Sequence, residues 1–284
     1  MRAVPFDAVV EAAKELFLET HFHLREDIRL ALERAWEREE EPARTYIGLL
    51  LENAILASKG EVPLCRDTGI PIWFVEMGSE LGMEDGLLPQ AVEEGVKQAF
   101  LQYPSFSPIL QDPLDVKSLI TDRIPASVHL QIVEGSELRM ICMRASALSE
   151  LSSRLGVLEA GFAERELVEF VRQAVLQAGP WCNPPVLVGV GIGASLDEVA
   201  RLARGGLLRP VGKPHTRLEY ARLEQEMLNA VNALKMGPGG VGGETTALAV
   251  HIETAPCHRA AIPVAVCILG HSVRVAEVIL TPDI

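Results

Sequence analysis

The sequence is short of positive charge: 26 Lys and Arg stand against 39 Asp and Glu, leaving a formal net charge of −13. Binding to nucleic-acid phosphates draws on clustered Lys and Arg. No such cluster occurs, so nucleic-acid partners are excluded. Long apolar runs are missing too, with no stretch of about eighteen apolar residues that could cross a membrane. The N-terminus has no basic start followed by an apolar stretch and a small-residue cleavage site, and the protein is expected in the cytoplasm. Five cysteines, an odd number at irregular spacings, do not suggest a disulfide framework. Neither Cys65 nor Cys182 has a second cysteine two to four residues away, which removes a zinc pair by spacing. Internal repeats and low-complexity linkers are absent from the sequence.

What is present describes an ordinary folded chain of 284 residues, 48% hydrophobic and 23% charged. Apolar positions at helical spacing (Val9, Val10, Ala13, Leu16, Phe17; Ile28, Leu30, Leu32; Ile47, Leu50, Leu51, Ile55) predict three helices in the first sixty residues. The mixed charges of 33–41 read as a solvated helix face. Residues 70–75 predict a strand in which Pro71 marks an edge or a start, and a helix is expected at about 88–101. The runs 127–133 and 138–143, separated by Glu134-Gly135-Ser136-Glu137, predict a hairpin. Further helices are expected at about 163–178, 196–204 and 216–235, with strands at 186–190, 245–252 and 262–269. The elements mix without strict alternation, which gives an α+β fold in a single domain, helical over about 1–60 and α+β over about 61–284.

Two glycine-rich segments invite phosphate binding. Val188-Gly189-Val190-Gly191-Ile192-Gly193, between a predicted strand and helix, resembles a dinucleotide turn. The acid expected about twenty residues on is absent beside Lys213-Pro214-His215. The competing reading is a tight turn with Ser195 or Asp197 capping the next helix. Gly237-Pro238-Gly239-Gly240-Val241-Gly242-Gly243 looks like a phosphate loop but is followed by Glu244 where a lysine is needed, so nucleotide hydrolysis is excluded.

Cys65 lies in Pro63-Leu64-Cys65-Arg66-Asp67-Thr68-Gly69, and Cys182 in Trp181-Cys182-Asn183-Pro184-Pro185. Each could be a small buried hydrophobe. With Glu52-Asn53-Ala54, Thr245-Thr246, His258 and Pro263-Val264-Ala265-Val266, however, these motifs make the chain resemble the iron–sulfur hydro-lyase family of class I fumarases and L-tartrate dehydratases, from about residue 45 onward. The resemblance implies a 4Fe-4S cluster whose iron polarises the hydroxyl of a small anionic hydroxy acid. Cys65 and Cys182 would be metal ligands, Asp67 would serve the proton transfer, and His258 would position or relay. The chain would be an α subunit, in an oligomer with a separate β-type subunit.

Departures from the family pattern gather on the groups that should touch substrate. Gly270 stands at the third cysteine position in Pro263-Val264-Ala265-Val266-Cys267-Ile268-Leu269-Gly270-His271-Ser272. Cys267 and Cys257 are the candidate replacements. Cys267 lies three residues before Gly270 on a predicted strand, so only a bulge would turn it to the same side. Arg66 replaces a glutamine, Arg144-Ala145-Ser146-Ala147 replaces a lysine and three glycines, and Ser107 replaces an arginine. Arg66, Thr68 and Arg144 are the expected substrate-binding residues. Two readings follow: a hydro-lyase with a remodelled pocket, or a family member without hydratase chemistry that is a structural partner or binds a small anion.

Overall fold

The computed structural model describes residues 2–67, 69–103, 109–159 and 161–281. In chain order these form β1 (Arg2–Pro5), α1 (Phe6–Phe22), α2 (Glu26–Arg38), α3 (Ala43–Ser58), β2 (Ile70–Gly78), β3 (Leu81–Glu84), α4 (Leu88–Gln102), β4 (Ser127–Val133) and β5 (Leu138–Ala145). There follow α5 (Ala147–Ser152), β6 (Arg154–Glu159), α6 (Glu164–Ala178), β7 (Val186–Gly193), α7 (Glu198–Gly206), α8 (Leu218–Asn232), β8 (Ala247–Ala255), β9 (Ala261–Leu269) and β10 (Val275–Leu280). The α+β class holds, and the three N-terminal helices fall where their periodicity placed them. They do not stay together. Residues 1–24, 56–146 and 274–284 form one compact unit and residues 25–55 and 147–273 another, so α1 belongs to the first and α2 to the second.

In the first unit a four-stranded sheet has the order β10-β5-β2-β4, and β1 pairs with β3 in a small parallel ribbon. β2 runs parallel to β4 and antiparallel to β5. The expected hairpin is therefore wrong: β2 is inserted between its two arms. The connection at 134–137 passes over the end of β2, where Gly78 donates to the Glu137 carbonyl at 2.8 Å and a Cβ on Gly78 would stand 2.4 Å from the Gly135 oxygen. Pro71 sits at the start of β2, where the missing N–H costs the ladder least. One face of this sheet, including the fully buried Trp73, Met140 and Cys142, packs against the apolar stripes of α1 and α4. Those two helices meet closely at Gly95, whose Cβ would lie 2.3 Å from the Val10 carbonyl.

The second unit repeats the plan. Its sheet order is β6-β9-β7-β8, with β7 parallel to β8 and antiparallel to β9. Again two strands consecutive in the chain, here β8 and β9, are split by the central one, and again that strand ends in glycine. Gly193 has φ +91°, and a Cβ there would stand 2.0 Å from the Ala255 carbonyl. The helix pair α6 and α8 covers one face, through Val171, Val175, Met227 and Val231 against Val188, Val190 and Val266. Although the sequence shows no repeat, the two sheets are wired alike. The difference is that the outer strand beside the antiparallel neighbour comes last in the first unit (β10) and first in the second (β6).

On the other face of the second sheet lies α7, laid directly on β7. A Cβ on Gly189 would meet the Ala203 carbonyl at 2.0 Å, and one on Gly191 the Val199 carbonyl at 2.2 Å. These glycines of the 188–193 motif thus make room for a helix backbone and do not form a phosphate turn. Asp197 precedes α7, and its carboxyl is held below the ordinary range by the Ser195 hydroxyl and by nearby backbone N–H groups. At the far end of α7 the Nδ1–H of His251 donates to the Gly206 carbonyl at 3.0 Å.

Replacing Gly193 with Ala is expected to cost about 2 kcal/mol or more, because it adds an atom against backbone at a positive φ. Gly212→Ala has a similar φ of +89° but open space around it, and should cost about 1 kcal/mol. Equal urea midpoints for the two variants would count against the crossing constraint. A second expectation concerns pH. Burial, then the charge of Arg209, lowers His251 to about 4, whereas the unfolded side chain titrates near 6.5. Between these values the unfolded chain binds the extra proton, so stability is complete above pH 6.5 and is lost as pH falls toward 4. The loss between pH 6.5 and 5 is up to about 2 kcal/mol from this group; His251→Gln should flatten it, and a midpoint independent of pH in that window would contradict it.

Candidate functional site

The central strand of each sheet is preceded by a loop carrying one of the two motif cysteines. In the first unit this is the segment before β2. Leu64 is buried and its N–H donates to the His21 carbonyl at 3.0 Å, Cys65 is half-buried and Arg66 is exposed. Asp67 turns its Oδ1 back onto the Gly69 N–H at 2.9 Å. Its own carbonyl accepts a hydrogen bond of 2.6 Å from Nη1 of Arg274. Gly69 has φ +66°, and a Cβ there would lie 2.3 Å from the Ala145 carbonyl, so the loop is laid against the end of β5. Thr68 lies outside the described residues, as do Phe106, Ser107 and Pro108.

Behind this loop two arginines are buried side by side, Arg144 at 1% and Arg274 at 2% exposure. Arg144 stacks over Phe17, its Cζ 4.4 Å from the ring centroid, and donates from Nη1 to His21 Nδ1 at 3.0 Å. Accepting that bond requires the Nδ1 lone pair. Burial first, then the Arg144 and Arg274 charges, pulls His21 down to about 4, so it stays neutral at pH 7. Burial is also the main force lowering both arginines, while the nearby Cys65 and Asp67 charges act the other way. Arg144 is thus packed in the first unit's interior, and the exposed arginine of the expected anion-binding pair is Arg66.

In the second unit the corresponding segment is a 3-10 turn, Gly179–Cys182, followed by Asn183 in the left-handed conformation and a cis Pro184–Pro185 bond. Cys182 is 3% exposed, its thiol donates to the Gly179 carbonyl at 3.0 Å, and burial pushes it up to about 11. Antiparallel pairing of β9 with β7 returns the chain to this same corner at Gly270. A Cβ at 270 would stand 3.0 Å from both the Cys182 carbonyl and the Asn183 Cβ. His271 follows, its N–H and its Nδ1–H both donating to the Asn183 carbonyl, at 3.2 and 3.1 Å. From α3, the Tyr46 ring lies against Gly239 and edge-on to His271, with ring centroids 6.3 Å apart.

The glycine loop after α8 closes on an internal anion. Glu39 is 3% exposed, and its carboxylate accepts from Thr245 N–H at 2.6 Å and Glu244 N–H at 3.0 Å. The 33–41 segment is therefore not uniformly a solvated face. Glu244 pairs instead with Lys235.

The other expected site residues lie elsewhere in the second unit. Cys267 is 5% exposed on the α7 side of β9, its thiol 3.8 Å from the Ala200 carbonyl, as strand alternation requires. Cys257 and His258 are exposed in the turn from β8 to β9, where His258 Nδ1 accepts from the Ala260 N–H at 3.2 Å. Since β7 and β8 are parallel, that turn is at the opposite end of the sheet from Cys182, roughly 20 Å away at the usual rise of a strand. The structure does not bring His258 to Cys182. His21, Glu39, Tyr46, His271 and Arg274 were not singled out from sequence; of these only His271 carried a signal, being next to the substituted cysteine position.

An iron–sulfur cluster held by three thiolates does not fit the residues present. Position 270 offers no side chain, Cys267 is turned under α7, and among the described residues no three His, Cys, Asp or Glu side chains are grouped to hold a metal. No described helix is long and apolar enough to cross a membrane.

Comparison with known proteins agrees with the scaffold. The fumarate hydratase (Fumerase) family pattern matches residues 10–279. A Methanocaldococcus jannaschii chain provisionally named an L(+)-tartrate dehydratase subunit alpha is 35% identical over 266 residues, 92% of this chain and 93% of its own. L(+)-tartrate dehydratase subunit alpha chains of Escherichia coli and Shigella boydii are each 32% identical over 207 residues, 72% of this chain and 68% of theirs. The chain belongs to the fumarate hydratase (Fumerase) family, as a member divergent at the third cysteine position.

Proposed function

We propose that the chain is the α-type subunit of a hydro-lyase that removes water from, or adds it to, a small hydroxy dicarboxylic acid, of the fumarate hydratase or tartrate dehydratase type. The observation that carries this reading is the retained Cys65–Gly69 loop, fixed at its centre by the bond from Arg274 to the Asp67 carbonyl. Its relatives named as α subunits match 72% to 92% of the chain. That naming supports a separate β-type polypeptide as partner, in a cytoplasmic oligomer.

Elimination of water needs a base at the carbon next to a carboxylate, and the loop presents the Asp67 carboxylate with one oxygen oriented by the Gly69 N–H. Asp67 takes that proton in dehydration and returns it in hydration. The exposed Arg66 beside it offers a charge-assisted partner for a substrate carboxylate, and Thr68, which follows Asp67 in the sequence, is the other substrate-binding candidate. Arg144 acts from the interior by fixing the neutral tautomer of His21. For the iron–sulfur centre that the resemblance implies, Cys65 and Cys182 would be the thiols, and the centre would supply a Lewis acid to the leaving hydroxyl. Gly270 leaves that centre without a third thiolate. Gly270 favours a second reading, a family member without hydratase chemistry that serves as a structural partner or binds a small anion.

Anaerobic purification with and without a β-type polypeptide, followed by iron analysis, absorbance near 400 nm and assays with fumarate and tartrate, separates the two. The first reading expects a coloured complex whose turnover falls about 100-fold or more in Asp67→Asn, with complex formation intact. A colourless protein that cannot be reconstituted and turns over neither acid sinks it in favour of the second. Turnover near 10 per second by the chain alone, an ordinary enzyme value of about that size, would remove the need for the partner.

A further inference from the structure

We infer that the β4 edge of the first unit is a docking surface for a second copy of the chain, the two β4 strands pairing antiparallel about Leu130 to make one continuous eight-stranded sheet. The inference goes beyond the hydro-lyase reading and does not depend on it.

The outer strands of the two four-stranded sheets are β10 and β4 in the first unit, and β6 and β8 in the second. An edge strand offers a row of N–H and C=O groups to any other strand, and proteins blunt it with charge, with proline or by covering those groups. β8 is blunted at both ends. Asn232 accepts from the Thr246 and Ala247 N–H groups at 2.9 and 2.8 Å, Glu224 accepts from the Ile252 N–H at 2.7 Å, and Arg209 donates to the Ile252 carbonyl at 2.7 Å. β6 has Arg154 and Glu159 at its ends, and β10 has Glu277 in its middle. β4 differs from all three. It runs Ser127-Val128-His129-Leu130-Gln131-Ile132-Val133 with no Asp, Glu, Lys, Arg or Pro, and among the described residues the strand that pairs with it is β2 alone.

The side chains of β4 select the occupant. Leu130 and Ile132 stand opposite Val75 and Met77 of β2, so they share the face that α1 and α4 cover, yet they are 48% and 60% exposed. The apolar face stops one strand short of its cover. With Leu130 on a two-fold axis normal to the sheet, Val128 meets Ile132 of the second copy, Leu130 meets its own equivalent, and His129 meets Gln131. Apolar side chains then face apolar ones on the helix-covered side, and polar ones face polar ones on the other. A shift by one residue sets apolar against polar throughout. The pairing also limits itself, because the strand left at each end of the joined sheet is β10 with its Glu277. The product is a closed two-fold dimer and not a fibre.

The test is sedimentation of the full chain at micromolar concentrations, alone and with a β-type polypeptide. Wild type should sediment as a dimer. Leu130→Lys, which sets two ammonium groups opposite each other at the axis, should raise the dissociation constant about ten-fold or more, while Ile279→Lys on β10 leaves it unchanged. Register is read by disulfide trapping in a Cys257→Ser background, which removes the exposed thiol. Leu130→Cys should join to itself. Val128→Cys should not, since its equivalent lies about 14 Å away along the strands at the usual rise, but it should join to Ile132→Cys when the two proteins are mixed. A wild-type chain that stays monomeric, a dimer that Leu130→Lys leaves intact, or a Leu130→Cys protein that fails to join to itself overturns the inference. So does a monomer whose binding to the β-type polypeptide is abolished by Leu130→Lys, which would give the edge to that partner. Should Leu130→Lys lose the circular dichroism of the wild type, the trapping results decide. Neither readout involves iron or turnover, so failure here leaves the hydro-lyase reading in place.

Discussion

Both sheets depend on one crossing, in which the chain leaves the strand parallel to the central one and passes over the central strand's end to reach its antiparallel neighbour. The two backbones then lie within van der Waals reach, which leaves no room for a Cβ on the residue beneath, and both central strands end in glycine, Gly78 and Gly193. The crossing places the antiparallel strand so that it runs back to the entrance of the central one. Ala145 therefore meets Gly69, and Gly270 meets Cys182 and Asn183. The same feature brings both motif cysteines to the strand entrances of their own sheets. Loops gathered at one end of a sheet and held by a rigid scaffold are where chemistry is usually sited, and here the scaffold repeats that arrangement without any repeat in sequence.

The helices were legible because their apolar stripes are local, and α4 and α6 fall within a residue or two of their expected bounds. The strands were legible as strands but not as partners. Glu134-Gly135-Ser136-Glu137 has the composition of a hairpin turn, yet insertion of β2 between β4 and β5 depends on a segment about fifty residues away that no local signal announces. The 188–193 glycines misled in a related way. A pattern that lets a backbone approach a phosphate lets α7 approach equally well. The candidate residues Cys65, Asp67 and Cys182 stood out because motifs carry them. Arg274 and His21 did not, since a buried arginine is recognisable only once something is found behind the loop it supports.

Charge in this acidic chain is distributed against its average. The interior of the first unit holds two arginines, and the nearby groups that favour their charged forms are Cys65, Cys142 and Asp67. In the second unit the glycine loop that could have cradled a foreign anion already encloses the carboxylate of Glu39. Backbone N–H groups in such a concavity are indifferent to whether the oxygens come from a ligand or from the chain. A phosphate would have to evict Glu39.

Because β10 closes the sheet of the first unit from beyond the whole of the second, vectorial synthesis on the ribosome completes the two units in an order opposite to their first appearance. Residues 25–55 and 147–273 are all made before Arg274 emerges. Domains generally fold as units while the chain lengthens, so the second unit can close while the first still lacks an outer strand and the guanidinium that holds the Asp67 carbonyl. The Cys65 loop is then among the last parts of the molecule to be set, and a nascent chain arrested anywhere before residue 274 carries its motif without the anchor that shapes it.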